Sequence, residues 1–206
     1  VDANGEITGP IEVVVDKSPG DITVGINGEE LKGTEESPYE IWCIEDLVEF
    51  SENQNTSGAY TSSVVKLCTT LDFNSILSYT DYTTKKYDTY LGGDGTTELM
   101  TQLSQNGKGF IPIGNSDDKC FKGIFDGQRF EIQNIYIKIS EDAGLFANVS
   151  GEQAKIQNIG ISGNIISINS IAGGIAAVGD GEFINCYSKA KVIAENTTLD
   201  AVNGTG

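Results

Sequence analysis

The sequence predicts an all-β fold of stacked strands, a β-solenoid, and three observations carry that expectation. One line of text recurs near the C-terminus: Ile132-Gln133-Asn134-Ile135-Tyr136-Ile137, then Ile156-Gln157-Asn158-Ile159-Gly160-Ile161, then Ile184-Asn185-Cys186. Its spacings, 132 to 156 and 156 to 184, fall in the range of stacked repeats. The lines alternate apolar and polar residues, which marks a strand and not a helix. Between them lies a second echo, Ala143-Gly144-Leu145-Phe146 and Ala172-Gly173-Gly174-Ile175. The chain holds 25 glycines against 4 prolines, a balance that suits a turn-rich β protein and argues against disorder.

Taken in order, residues 1–38 read as an N-terminal β leader and linker. Runs at 11–15 and 22–26 look like strands, with Ser18-Pro19-Gly20-Asp21 as the turn between them. An acidic, glycine-rich stretch over 27–38 follows. The main domain spans 39–206. Tyr39-Glu40-Ile41-Trp42 reads as a strand. A short amphipathic helix covers 44–50, because Ile44, Leu47 and Val48 share one face and two acids sit in the first turn. Residues 53–58 read as a loop, 64–68 as a strand, and 71–73 as its end. Residues 74–108 form a long insertion with no clear period, rich in Thr, Asp and Tyr, in which 97–105 could add a helical turn. The pattern resumes at Phe110-Ile111-Pro112-Ile113-Gly114. Asp126-Gly127 is a tight-turn signal.

Composition bounds the function. The chain has 206 residues, one large domain's worth, with 30 acidic and 13 basic residues and a net charge of −17. Such a field repels phosphate backbones, so nucleic acid is not an expected partner. Histidine is absent, which removes the commonest general base and the commonest transition-metal ligand. Cys43, Cys68, Cys120 and Cys186 show no CxxC spacing; buried thiols are the first reading and a disulfide the second. No stretch is apolar for about 18 residues, so no membrane insertion is expected within this chain. The chain opens on Val1 and stops inside a repeat, and reads as a fragment of a longer protein.

Gly144-Leu145-Phe146 followed by Ile156-Gln157-Asn158-Ile159-Gly160-Ile161-Ser162-Gly163 resembles a GLUG-type repeat, and Ala172-Gly173-Gly174-Ile175 with Ile184-Asn185-Cys186 looks like its next copy. Upstream, Pro38-Tyr39-Glu40-Ile41, Ile44-Glu45-Asp46-Leu47, Val65-Lys66-Leu67, Leu71-Asp72-Phe73 and Phe121-Lys122-Gly123-Ile124-Phe125-Asp126-Gly127 recur in the order usual for such domains. The resemblance covers about residues 38–206. It implies a right-handed parallel β-helix with a short N-terminal capping helix. It also implies a non-enzymatic, extracellular module of a bacterial surface or secreted adhesin-like protein. It carries over no catalytic residue.

The candidate sites follow from these readings. Tyr79, Tyr82, Tyr87 and Tyr90 in the insertion are the expected ligand-binding group, since tyrosine offers a flat apolar face and a polar tip to a host protein or glycan. Asp117 and Asp118 are calcium candidates, because calcium takes several oxygens from Asp-rich turns. Asn134, Gly144, Asn158, Gly173, Gly174 and Asn185 are structural repeat residues: the asparagines should stack in register, and the glycines fit tight corners or positive φ. A glycosidase would need two carboxylates facing one groove. Asp117, Asp118, Asp126, Glu131, Glu141 and Asp142 show no spacing that sets a pair on one face. The single arginine, Arg129, reads as a surface turn residue. No cofactor is expected. The oligomeric state is open. The alternatives are a carbohydrate-active lyase or glycosidase, and a structural stalk or pilin-like subunit.

Overall fold

The computed structural model describes residues 17–18, 20–73 and 108–196, together with the backbone of 77–81 and 86–89. The expected strand at 11–15 and the helical turn at 97–105 lie outside the described residues.

The first half of the chain contributes β1 (Tyr39–Ile41), α1 (Ile44–Ser57), β2 (Val64–Leu67), β3 (Leu71–Asp72), β4 (Leu77–Asp81) and β5 (Lys86–Thr89). The second half adds β6 (Ile124–Asp126), β7 (Glu131–Ile139), β8 (Phe146–Val149), β9 (Lys155–Gln157), β10 (Gly160–Ile168), β11 (Ala176–Gly179), β12 (Glu182–Ile184), β13 (Tyr187–Ser188) and β14 (Lys191–Glu195). The first sheet runs β1-β2-β6-β9-β12, all parallel. The second runs β3-β7-β10, with β13 and β14 both on the far edge of β10. β8 and β11 form a small parallel pair, and β4 with β5 an antiparallel one.

This arrangement corrects the expected fold class. An all-β, right-handed parallel β-helix with a short capping helix does not describe it. Three parallel sheets share their core with a helix of 14 residues, a parallel α/β-type fold. The physical reason lies in residues 51–57, which follow the expected helix of 44–50 and overlap the expected loop of 53–58. They continue it because their polar side chains are used for packing. Ser51 Oγ donates to Ile111 O at 2.6 Å, and fully buried Gln54 donates Nε2 to Lys119 O at 2.6 Å. Asn55 donates to Pro112 O and accepts from the Gly114 and Asn115 amides. The helix stops where Gly58 takes φ 70° and its amide closes on Gln54 O.

The core is one apolar cluster. Phe50 of α1 stacks on Phe125 at 6.2 Å and meets Phe121 edge-on at 5.7 Å, and Phe146 lies 5.3–5.5 Å from Phe121 and Phe125. All four rings are fully buried. Burial of each contributes about 1.5–3 kcal/mol relative to exposure. On β7 Ile132, Ile135 and Ile137 are fully buried, while Asn134 and Tyr136 face solvent; Asn134, at φ 57°, shifts the phase of the alternation between Ile132 and Ile135.

The expected strand at 22–26 is instead a turn. It makes one isolated antiparallel bridge, Val24 to Glu30, and it plugs the core with fully buried Ile22. Lys17 and Asp46, both fully buried, pair at 3.5 Å, and Asp46 also accepts from the Gly20 and Trp42 amides. Residues 17–38 are thereby tied to α1 and to the β1 edge. No disulfide joins the four cysteines, and Cys43 and Cys120 are buried. Burial pushes the Cys68 thiol up to about 12.

Candidate binding face

The outward positions of the second sheet gather exposed aromatic and charged side chains. Strand register builds this face. Tyr136 on β7, Asn164 on β10 and Lys191 on β14 lie side by side in one row, all exposed. A second row joins Glu131, Gly160 and Tyr187. Only glycine permits that row. A Cβ at Gly160 would come within 2.3 Å of the Tyr187 ring, so the ring lies flat across the middle strand. Its hydroxyl donates to Glu131 Oε1. Gln133 Nε2 donates to the other carboxylate oxygen at 2.7 Å. Lys189 Nζ lies 3.4 Å from Glu131 and 5.0 Å from the Tyr187 ring centroid, a cation–π distance. The Tyr187 hydroxyl, then Gln133 and Lys189, hold the Glu131 carboxyl down at about 2, and the same contact raises the Tyr187 phenol. The result is an aromatic plate fixed at its rim, with Tyr136 exposed to 41% and Tyr187 to 44%.

A second feature is a polar cleft of about 280 Å³ lined by Asp117, Glu141, Asp142, Asn148 and Ser170 among others. Asn148 Nδ2 sits 3.5 Å from Asp117, and its buried Oδ1 has no partner among the described residues. The two calcium candidates are not brought together. Asp118 turns to Ser116 and Lys119, which hold its carboxyl below the usual range, whereas Asp117 faces the cleft. Among the described residues no three acids or thiols are grouped to hold a metal ion.

Of the tyrosines expected to bind ligand, Tyr79 falls on β4 and Tyr87 on β5, so the hairpin carries both. Tyr82 and Tyr90 lie outside the described residues. Among the repeat residues, Asn158 and Asn185 do stack: Asn185 Nδ2 donates to Asn158 Oδ1 at 3.1 Å, and Asn158 Nδ2 to Asp126 Oδ1 at 3.0 Å. Asn134 stands elsewhere. It belongs to the second sheet and donates to Asp72 at 2.8 Å. The textual match misleads because Ile132 pairs with Leu71 and Ile161, while Ile156 pairs with Phe125 and Phe183. Positive φ falls on the asparagines, at 57°, 54° and 52° for Asn134, Asn158 and Asn185. Gly144, Gly173 and Gly174 serve close approach instead; a Cβ at Gly173 would strike Ala176 O at 1.9 Å. Arg129 is an exposed turn residue at φ 68°.

The sequence reading missed Tyr136 and Tyr187. The signal was present for the first: in Ile135-Tyr136-Ile137 the alternation alone points the ring outward.

No family model matches the chain, and no curated protein matches it. Among solved structures it is similar to a candidate immunoglobulin A1 protease from Bacteroides ovatus, at 18% identity and a TM-score of 0.44. The match covers 82% of this chain and 52% of that one, so this chain spans about half of its length. A likeness at that level carries no functional argument.

Proposed function

We propose that this chain is a non-enzymatic binding module that presents the outward face of its second sheet to a host protein or glycan. The observation that carries the reading is the aromatic plate of Tyr187, held across Gly160 by Glu131 and Lys189, with Tyr136 exposed on the same face. Rigid aromatic rings rimmed by hydrogen-bonding groups suit a sugar ring or a protein hot spot, because little entropy is lost on contact. The absence of histidine and the lack of spacing that pairs the acids support a binding role over catalysis. The resemblance to GLUG-type repeats supports an extracellular, bacterial surface setting, and adhesion through many weak contacts.

A glycan and matrix-protein array tests the reading. The expected result is a reproducible ligand whose binding falls at least tenfold on Tyr136→Ala with Tyr187→Ala. Binding lost instead on Tyr82→Ala with Tyr87→Ala would move the site to the insertion. A blank array, or cleavage of immunoglobulin A1 by the purified chain, would overturn the proposal.

A further inference from the structure

Strand β14 is bonded along one edge only. It pairs with β10, and among the described residues nothing pairs with its other side. An exposed strand edge is a template for another chain unless it is blunted. Register with β10 sets the faces of β14. Val192 lies opposite fully buried Ile165, and Ala194 opposite fully buried Ser167, so both face the core side. Lys191, Ile193 and Glu195 alternate with them and face outward. Val192 is nevertheless 40% exposed, and so is Phe183 on β12, although Phe183 pairs with fully buried Ile156. Core-side apolar groups therefore end in water at this edge.

The five residues Lys191-Val192-Ile193-Ala194-Glu195 are complementary to themselves in antiparallel order. A two-fold axis through Ile193 sets Lys191 opposite Glu195 of a second copy, at both ends of the strand. It sets Val192 opposite Ala194 on the core side, and Ile193 opposite Ile193. Directly opposite residues in an antiparallel pair point to the same face, so each pair matches in kind: two ion pairs outside, two apolar pairs inside. Lys191 and Glu195 are exposed, and neither has an ion-pair partner within the chain among the described residues.

We propose that β14 docks a second copy of this chain, antiparallel about Ile193, joining the second sheets of the two copies edge to edge. The occupant is set by charge complementarity. Each copy carries a net charge of −17, so two copies repel at long range, and the Lys191 ammoniums supply the local attraction that a chance contact would lack.

The test is the mass of the 206-residue chain by light scattering and sedimentation at about 0.15 M salt, where charges more than roughly 8 Å apart are screened. The expected result is a species of twice 22.0 kDa that dissociates on dilution. Lys191→Glu alone and Glu195→Lys alone should each give monomer with an unchanged circular dichroism spectrum, because each sets like charges opposite. Mixing the two variants should restore the dimer, since every pair is then opposite in sign. Val192→Asp should also give monomer. A monomeric wild type at all concentrations would overturn the proposal. So would a dimer indifferent to Lys191→Glu, or a mixture of the two variants that stays monomeric.

Discussion

The two ends of the sheets are built differently. At the β1 end, α1 and residues 17–38 close the core: Ile22, Leu47 and Phe50 are fully buried there, and Asp46 gathers a buried ammonium and two amides. At the β12–β14 end the same inward positions are half open, with Phe183 and Val192 each exposed to 40%. Alternation is the same at both ends. What differs is whether another layer covers it, so burial follows from stacking and not from side-chain type.

That contrast can be broken most strongly at the closed end. Phe125→Ala, on the central strand β6 where Phe50 of the closing helix reaches in, removes a ring packed against Phe50 and Phe146, and should cost about 3–5 kcal/mol in urea unfolding. The equivalent inward residue one end away, Phe183, should cost only about 1 kcal/mol when changed to Ala, because much of its ring is already in water. Equal losses would contradict the account. Asp46→Ala takes the carboxylate from a fully buried ammonium and should also cost about 3–5 kcal/mol, measured the same way.

How far the sequence revealed these features depends on the element. The strands at 39–41, 64–67 and 131–139 were legible because short apolar runs interleaved with polar residues mark them. The phase of the repeat was not. Ile132-Gln133-Asn134 and Ile156-Gln157-Asn158 read alike, yet they occupy different sheets, since a strand's text records its local pleat and not its partner. Residues 53–57 read as a loop because propensity counts Asn and Ser against a helix, whereas Gln54 and Asn55 are held there by bonds to backbone about 57–65 residues away. Of the binding face, Tyr136 was visible from alternation. Tyr187 was not, because its placement depends on Gly160 in the neighbouring strand.

The ladder offers a smaller test. Asn158→Ala loses bonds to both Asp126 and Asn185 and puts alanine at φ 54°, for about 1–2 kcal/mol. Asn185→Ala, at the open end, loses one exposed bond and should cost less.

The smallest effect concerns pH. Burial raises the Glu49 carboxyl above its ordinary 4.5, against the lowering effect of bonds from Tyr60 and Asn53. The folded chain then holds a proton that the unfolded chain has released, so stability falls as pH rises from about 4.5 through the raised folded value. Glu49→Gln should flatten that part of the stability–pH curve, followed by urea midpoints between pH 4 and 7.

The most direct measurement is hydrogen exchange resolved by strand, at low and at high protein concentration. Slow exchange is expected in β1, β2, β6 and β9 at both concentrations. Fast exchange is expected in β12 and β14 when dilute, with β14 alone becoming slow when concentrated. Slow exchange in β12 and β14 in dilute protein, equal to that of β2 and β6, would contradict the difference between the two ends.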